Sequence, residues 1–148
     1  SWPAVAVRFG GIYGPGRTRL IESVRDGSAT RPAGPPLYTN RIHRDDCARV
    51  LEHLLFLPEP EPIYLAVDHD PAPLGEVLDW LSIQLGVPEP PLAAHPPLKP
   101  GAEAGGNIAL RMRVSKRCCN ARLRASGFTF RYPGYREGYA ALLCAANR

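Results

Sequence analysis

The residues of this chain best placed to do chemistry fall at two points. An apolar stretch from Val5 breaks abruptly into Phe9-Gly10-Gly11-Ile12-Tyr13-Gly14-Pro15-Gly16-Arg17, and Asn40-Arg41-Ile42-His43-Arg44-Asp45-Asp46 concentrates charge around one histidine. Glycines at the end of a buried strand let the backbone approach a flat ligand, and ligands of open α/β sheets gather beyond the carboxyl ends of strands. The same glycines serve equally as a plain turn from strand to helix, and spacing alone does not rank one reading above the other.

A second parse of the first segment, Gly11, four residues, then Gly16-Arg17-Thr18, copies the spacing of a phosphate loop. Its chemistry argues against it. The loop's lysine is a compact ammonium set among phosphates, which a planar guanidinium does not replace, and Pro15 removes one backbone donor from the cradle.

In the second segment His43 and Asp45 have the types of an acid/base pair. Aspartates at a helix start are more often caps, and a structural His43 is the favoured reading. The His43-Arg44-Asp45 order of protein kinases lacks its asparagine, because Val50 stands at that position. Asp68-His69-Asp70 reads as a solvated turn rather than a ligand cluster. His43 and Cys47 together are two ligands short of a metal site, so none is expected.

The elements that must carry these residues follow from periodicity. Ala4 to Phe9 reads as a strand, and Thr18 to Asp26 as a short helix with Leu20, Ile21 and Val24 on one side, stopped by Gly27. Tyr38 to His43 is extended. A helix from about Asp45 to Leu57 carries Val50, Leu51, Leu54 and Leu55 as its buried stripe, with Asp45 and Asp46 at its positive end. Prolines 58, 60 and 62 end it, and Ile63 to Val67 is a second buried strand. Leu74 to Leu85 is a helix burying Val77, Leu78, Leu81 and Leu85 and closing at Gly86. From 88 to 106 the chain is rich in Pro, Ala and Gly and reads as a long loop. Asn120 is a candidate cap for a helix through Ser126, closed by Gly127, and Tyr135 to Ala146 is a final amphipathic helix. This order is α/β. An apolar strand from Val5 wants parallel neighbours on both sides, and the residues before it supply none.

With 148 residues, 45% hydrophobic and 22% charged, the chain suits a soluble globular unit with no membrane span, and a cytoplasmic location is expected. Cys47, Cys118, Cys119 and Cys144 show no zinc spacing, and the adjacent pair suits no relaxed disulfide, so reduced, structural thiols are expected. A net charge of +4 conceals a segment from Arg111 to Arg136 in which every charged residue is basic. Aromatic residues are too sparsely interleaved for nucleic acid to be the expected partner; a solvated face or a nucleotide-phosphate contact is more economical.

Taken with Asn120-Ala121-Arg122-Leu123, Gly127-Phe128 and Tyr132-Pro133, the two segments resemble, in order and spacing, the C-terminal half of extended or atypical short-chain dehydrogenases/reductases. This is the NAD-dependent epimerase/dehydratase family, in particular its nucleoside-diphosphate-sugar epimerase-like members. The resemblance implies an incomplete Rossmann-type parallel sheet, its last strands and helices within 1–86, and small substrate-domain elements within 87–148. It implies NAD or NADP as cofactor, bordered at the nicotinamide by Phe9, Gly10, Gly11 and Ile12. Arg17 and Arg41 would face an anionic substrate such as a nucleotide-sugar, although Arg41 stands closer to the histidine motif than the arginine of many members.

Two parts of that machinery are not in the sequence. It has no glycine-rich pyrophosphate motif, and none of the tyrosines at 13, 38, 64, 132, 135 and 139 has a lysine four residues on, the only lysines being Lys99 and Lys116. No catalytic residue is therefore assigned. The leading expectation is the C-terminal part of an NAD(P)-dependent epimerase/dehydratase-like oxidoreductase, inactive without an N-terminal Rossmann half. The alternative is a noncatalytic binding or regulatory module on the same scaffold.

Overall fold

A computed structural model describes residues 4–93 and 115–146. The elements in chain order are β1 (Ala6–Phe9), β2 (Gly11–Tyr13), α1 (Arg19–Arg25), β3 (Tyr38–Thr39), β4 (Arg41–His43), α2 (Arg44–Leu55), β5 (Ile63–Ala66), β6 (Ala72–Pro73), α3 (Leu74–Leu85), α4 (Ala121–Ala125) and α5 (Tyr135–Ala146). Most of the loop read at 88–106, and the start of the basic segment, lie outside the described residues. Among those described, no helix is long and apolar enough to cross a membrane.

The chain divides into two compact units that interleave in sequence: Ser1–Thr18, Asn40–Pro71 and Arg117–Arg148 in one, Arg19–Thr39 and Ala72–Lys116 in the other. The sequence reading drew its boundary at 86 instead. Periodicity finds elements, but which elements share a core depends on pairings between segments far apart in the chain.

In the first unit β1 pairs parallel with β5, Ala6 opposite Ile63, and β2 pairs parallel with β4, Gly11 opposite Arg41. These are the short parallel pairs that the α/β reading required. Gly10 joins β1 to β2 and marks a fork. Its N–H still bonds to the carbonyl of Ala66 on β5 (3.1 Å), whereas the N–H of Gly11 bonds to Asn40 (2.9 Å) and the N–H of Asp68 bonds to Arg41 (2.8 Å). Strand β4 thus enters where β1–β2 and the end of β5 diverge. A Cβ at Gly10 would lie 2.9 Å from a Val67 methyl and 3.0 Å from the Asn40 carbonyl, so only glycine fits the fork.

Helix α2 covers one face of this unit. Ile42, Cys47, Val50, Leu54, Tyr64, Ala66, Leu123, Phe128 and Phe130 form its core, with Val7, Phe9 and Ile12 half-buried against it. The stripe expected on α2 is corrected at two positions, since Leu51 and Leu55 are exposed, Leu55 at 77%. Asp46 and Cys47 take the inward direction with Val50 and Leu54. Among the described residues β1 has β5 as its one neighbour, and its burial alternates: Val7 and Phe9 half-buried, Ala6 and Arg8 exposed.

In the second unit α1 and α3 bury Ile21, Val24, Val77, Leu78 and Leu81, while β3 and β6 form a short antiparallel pair. Gly86 closes α3 at φ 65°, with the N–H of Val87 reaching back to the carbonyl of Ser82 (3.0 Å). Leu85 lies at the margin of this core rather than inside it.

Candidate functional site

The parallel strands of the first unit bring in polar residues: Tyr13 at the end of β2, Arg41 and His43 from the two ends of β4, and Asp68 just beyond β5. All four are buried, although each is polar and two are ordinarily charged. Burying such groups is costly unless partners arrive, and here the partners come from the C-terminal segment.

Asp46 recruits that segment. Its carboxylate, fully buried, accepts the backbone N–H groups of Arg131 (2.9 Å) and Tyr132 (2.8 Å) and pairs with Arg49 at 2.9 Å. Tyr132 is thereby laid on His43, ring centroids 3.9 Å apart. The Tyr13 hydroxyl reaches the Gly134 carbonyl at 3.5 Å, and its ring packs on Tyr139 at 4.5 Å. Gly138 makes this approach possible, because a Cβ there would overlap the Tyr13 phenol. The Arg41 and Arg136 guanidinium groups lie over the Tyr135 ring, at 5.5 and 4.5 Å from its centroid.

His43 is the N-cap of α2. Its Nδ1 accepts the N–H of Asp45 at 3.2 Å, so the neutral ring carries its proton on Nε2. Burial holds its pKa below the usual histidine value against the pull of Asp45 and Asp46. The structural reading of His43 is the one the geometry supports. Burial likewise raises the phenols of Tyr13 and Tyr139, each pushed further by Asp68 and opposed by Arg41. Both stay protonated and are poor proton acceptors.

Asp68 is different. Burial pushes its carboxyl up to about 7, against the Asp70 N–H and Arg41, which pull the other way. The solvated turn expected at Asp68-His69-Asp70 is corrected here: His69 is exposed and Asp70 half-buried, but Asp68 is 2% exposed. Asn120 is corrected too. Its amide makes no side-chain cap, donating instead to the carbonyls of Val67 (2.8 Å) and Asp68 (3.1 Å), with His69 Nδ1 at 2.9 Å. It ties α4 to the end of β5. No sequence signal separates this role from a cap, since asparagine suits both.

The residues assigned to ligands are spread over different surroundings. Phe9 and Ile12 pack toward the core, Gly10 is filled by the fork, and Gly11 is exposed, with only the Asn40 carbonyl near its Cβ position. Arg17 is exposed on the turn closed by its N–H to the Gly14 carbonyl (2.8 Å), a tight turn rather than an open cradle of donors. Arg41 is 5% exposed and faces Asp68, Tyr135 and Tyr139. Basic residues of the C-terminal segment have partners inside the chain: Arg122 donates to the Ile63 carbonyl, Arg131 lies over Tyr132, and Arg136 pairs with Asp70. Among the described residues no group of histidine, cysteine and carboxylate side chains could hold a metal ion. All four cysteines are free, Cys47 buried but Cys119 and Cys144 exposed, so only Cys47 is a structural thiol in the sense expected.

No protein-family model and no curated protein matches the chain. Among solved structures, a Methylobacillus flagellatus protein assigned as an NAD-dependent epimerase/dehydratase is 34% identical with a TM-score of 0.75, the match covering 100% of this chain and 49% of that one. A conserved protein of unknown function from Silicibacter pomeroyi is 30% identical with a TM-score of 0.78, over 97% of this chain and 49% of its own. The human epimerase family protein SDR39U1 (isoform 2), solved with NADPH, shares the fold at 21% identity and a TM-score of 0.74, over 90% of this chain and 46% of its own. The chain spans about half the length of each of these proteins.

Proposed function

The chain corresponds to about half of an NAD-dependent epimerase/dehydratase family protein, and from that premise we propose that it forms the nicotinamide-side wall and substrate cover of an NAD(P)-dependent oxidoreductase. The substrate class is a nucleotide-sugar or related carbinol. The pyrophosphate site and the proton-exchanging tyrosine–lysine pair belong to a further segment, an N-terminal Rossmann half, without which this chain is inactive.

One observation carries this reading: the second edge of β1 is open among the described residues. The N–H groups of Ala6 and Gly10 bond toward β5, to Pro62 (2.9 Å) and Ala66 (3.1 Å). By the alternation of a strand, those of Val7 and Phe9 point to the open side. Such an edge is a template for one more parallel strand, and relatives twice as long have the residues to supply it.

The residues fit a nicotinamide at one place. Gly11 is exposed, with the Asn40 carbonyl 3.3 Å from where a Cβ would stand, whereas Phe9 and Ile12 pack toward the core and Gly10 sets the fork. When bound, the cofactor supplies hydride exchange with a carbinol carbon. Arg17, on the exposed turn, is the better placed of the two arginines for an anionic substrate, whereas Arg41 is buried with Asp68, Tyr135 and Tyr139. The exposed free thiols accord with a reducing compartment, the cytoplasm.

NADPH fluorescence titration tests the proposal. The isolated chain is expected to show no micromolar binding, and binding is expected to appear when it is mixed with the half of the Methylobacillus flagellatus protein that it does not cover. Val7→Pro removes an N–H from the open edge while sparing those that face β5. It should abolish the gain in binding and leave the chain's own circular dichroism intact. Micromolar NADPH binding by the isolated chain sinks the reading.

A further inference from the structure

The buried carboxyl of Asp68 is used by nothing in that reading. It lies just past β5 at 2% exposure, its Oδ1 accepting the N–H of Asp70 at 3.0 Å and its Oδ2 buried with no hydrogen-bond partner. A buried acceptor left without a donor is costly, and a charged one more so. The groups that act on it come from every element around it: Arg41 of β4, Tyr13 of β2, Glu137 and Tyr139 of α5, and Asp70 of its own loop. Arg136 of α5 is engaged with Asp70 at 3.3 Å, and the carboxylate of Asp46 on α2 also acts on Tyr13.

We propose that Asp68 is a proton-operated latch on helix α5, closed while its carboxyl is neutral and loosened when it ionises. In the neutral state a proton on Oδ2 removes the orphaned charge, and no carboxylate stands beside Glu137, Asp70 and the two buried phenols. Ionised, the carboxylate adds negative charge beside Glu137 and Asp70, with the Asp70 N–H and Arg41 favouring it but outweighed by burial. Helix α5 takes the strain, because its contacts with β2 and β4 run through Tyr13, Tyr139 and Arg41 around this carboxyl.

The sign follows from linkage. A carboxyl raised in the folded state from 3.8 to about 7 contributes stability that is complete below about pH 4 and is lost as pH rises through 7. Three pK units correspond to roughly a thousandfold in the folding equilibrium. His43, whose pKa is lowered, runs the opposite way: its contribution is present above the ordinary histidine value and lost as pH falls. The difference between wild type and Asp68→Asn isolates the aspartate.

On the full chain, the carboxyl carbon of Asp68 is expected to titrate near pH 7 by NMR. Amides of α5 should lose protection between pH 6 and 8 beyond the intrinsic base dependence, while those of α3 do not. The melting temperature of Asp68→Asn should gain on that of wild type from about pH 4 to pH 7 and level off above it. A carboxyl midpoint near pH 4, or a wild-type-to-variant difference that does not change with pH, overturns the latch. Should Asp68→Asn fail to fold, the NMR titration and α5 exchange of the wild type decide alone.

Discussion

Asp46 shows how much one side chain can carry. Its carboxylate stands at the start of α2, where negative charge suits the helix, and the same two oxygens fasten the backbone at 131 and 132. Asp46→Ala leaves two part-buried N–H groups without acceptors, and a loss of about 1–3 kcal/mol is expected in urea denaturation. Asp46→Asn keeps one acceptor and should lose less. Cys47 follows from the same burial, which pushes its thiol up to about 11. At pH 8 Cys119 and Cys144 should therefore react with iodoacetamide in the native protein, while Cys47 reacts only after denaturant is added; mass spectrometry of the labelled peptides checks this. The sequence marked Asp46 as a helix-start residue. It could not reveal the 131–132 backbone, because that contact joins residues 85 and 86 positions apart.

Among the elements, α5 was legible to its ends, Tyr135 to Ala146, and α3 likewise from Leu74 to Leu85, since periodicity and the glycine after α3 are local signals. The inward face of α2 was legible only in part. Leu51 and Leu55 fit a helical stripe as well as Val50 and Leu54 do, and only the position of β4 and the Phe128–Phe130 segment decides which side is covered. Gly138 is the sharpest case. Alanine in place of a glycine inside a helix ordinarily gains about 1 kcal/mol, but here its methyl would land on Tyr13. Gly138→Ala is expected to destabilise by about 1–3 kcal/mol in urea denaturation, and the cost should fall or reverse in the Tyr13→Ala background. An additive double mutant would mean that the two side chains do not share the space.

At the scale of the whole chain, the apolar run from Val5 and the glycines after it were read as a strand ending at a ligand, and the strand is there. Its glycines divide their work: Gly10 accommodates the fork of three backbones, and Gly11 remains at the surface. The sequence by itself determined the α/β order, most helix boundaries, the family resemblance and the lack of a tyrosine–lysine pair. These depend on residue type and short-range spacing, which a linear chain states directly. The tertiary structure alone decided that Arg41 and Asp68 are buried together, that His43 is a neutral cap between two tyrosines, and that β1 offers one edge unpaired among the described residues. Burial and protonation are properties of surroundings assembled from distant segments, so the same arginine or aspartate reads identically in sequence whether it meets solvent or the inside of a fold.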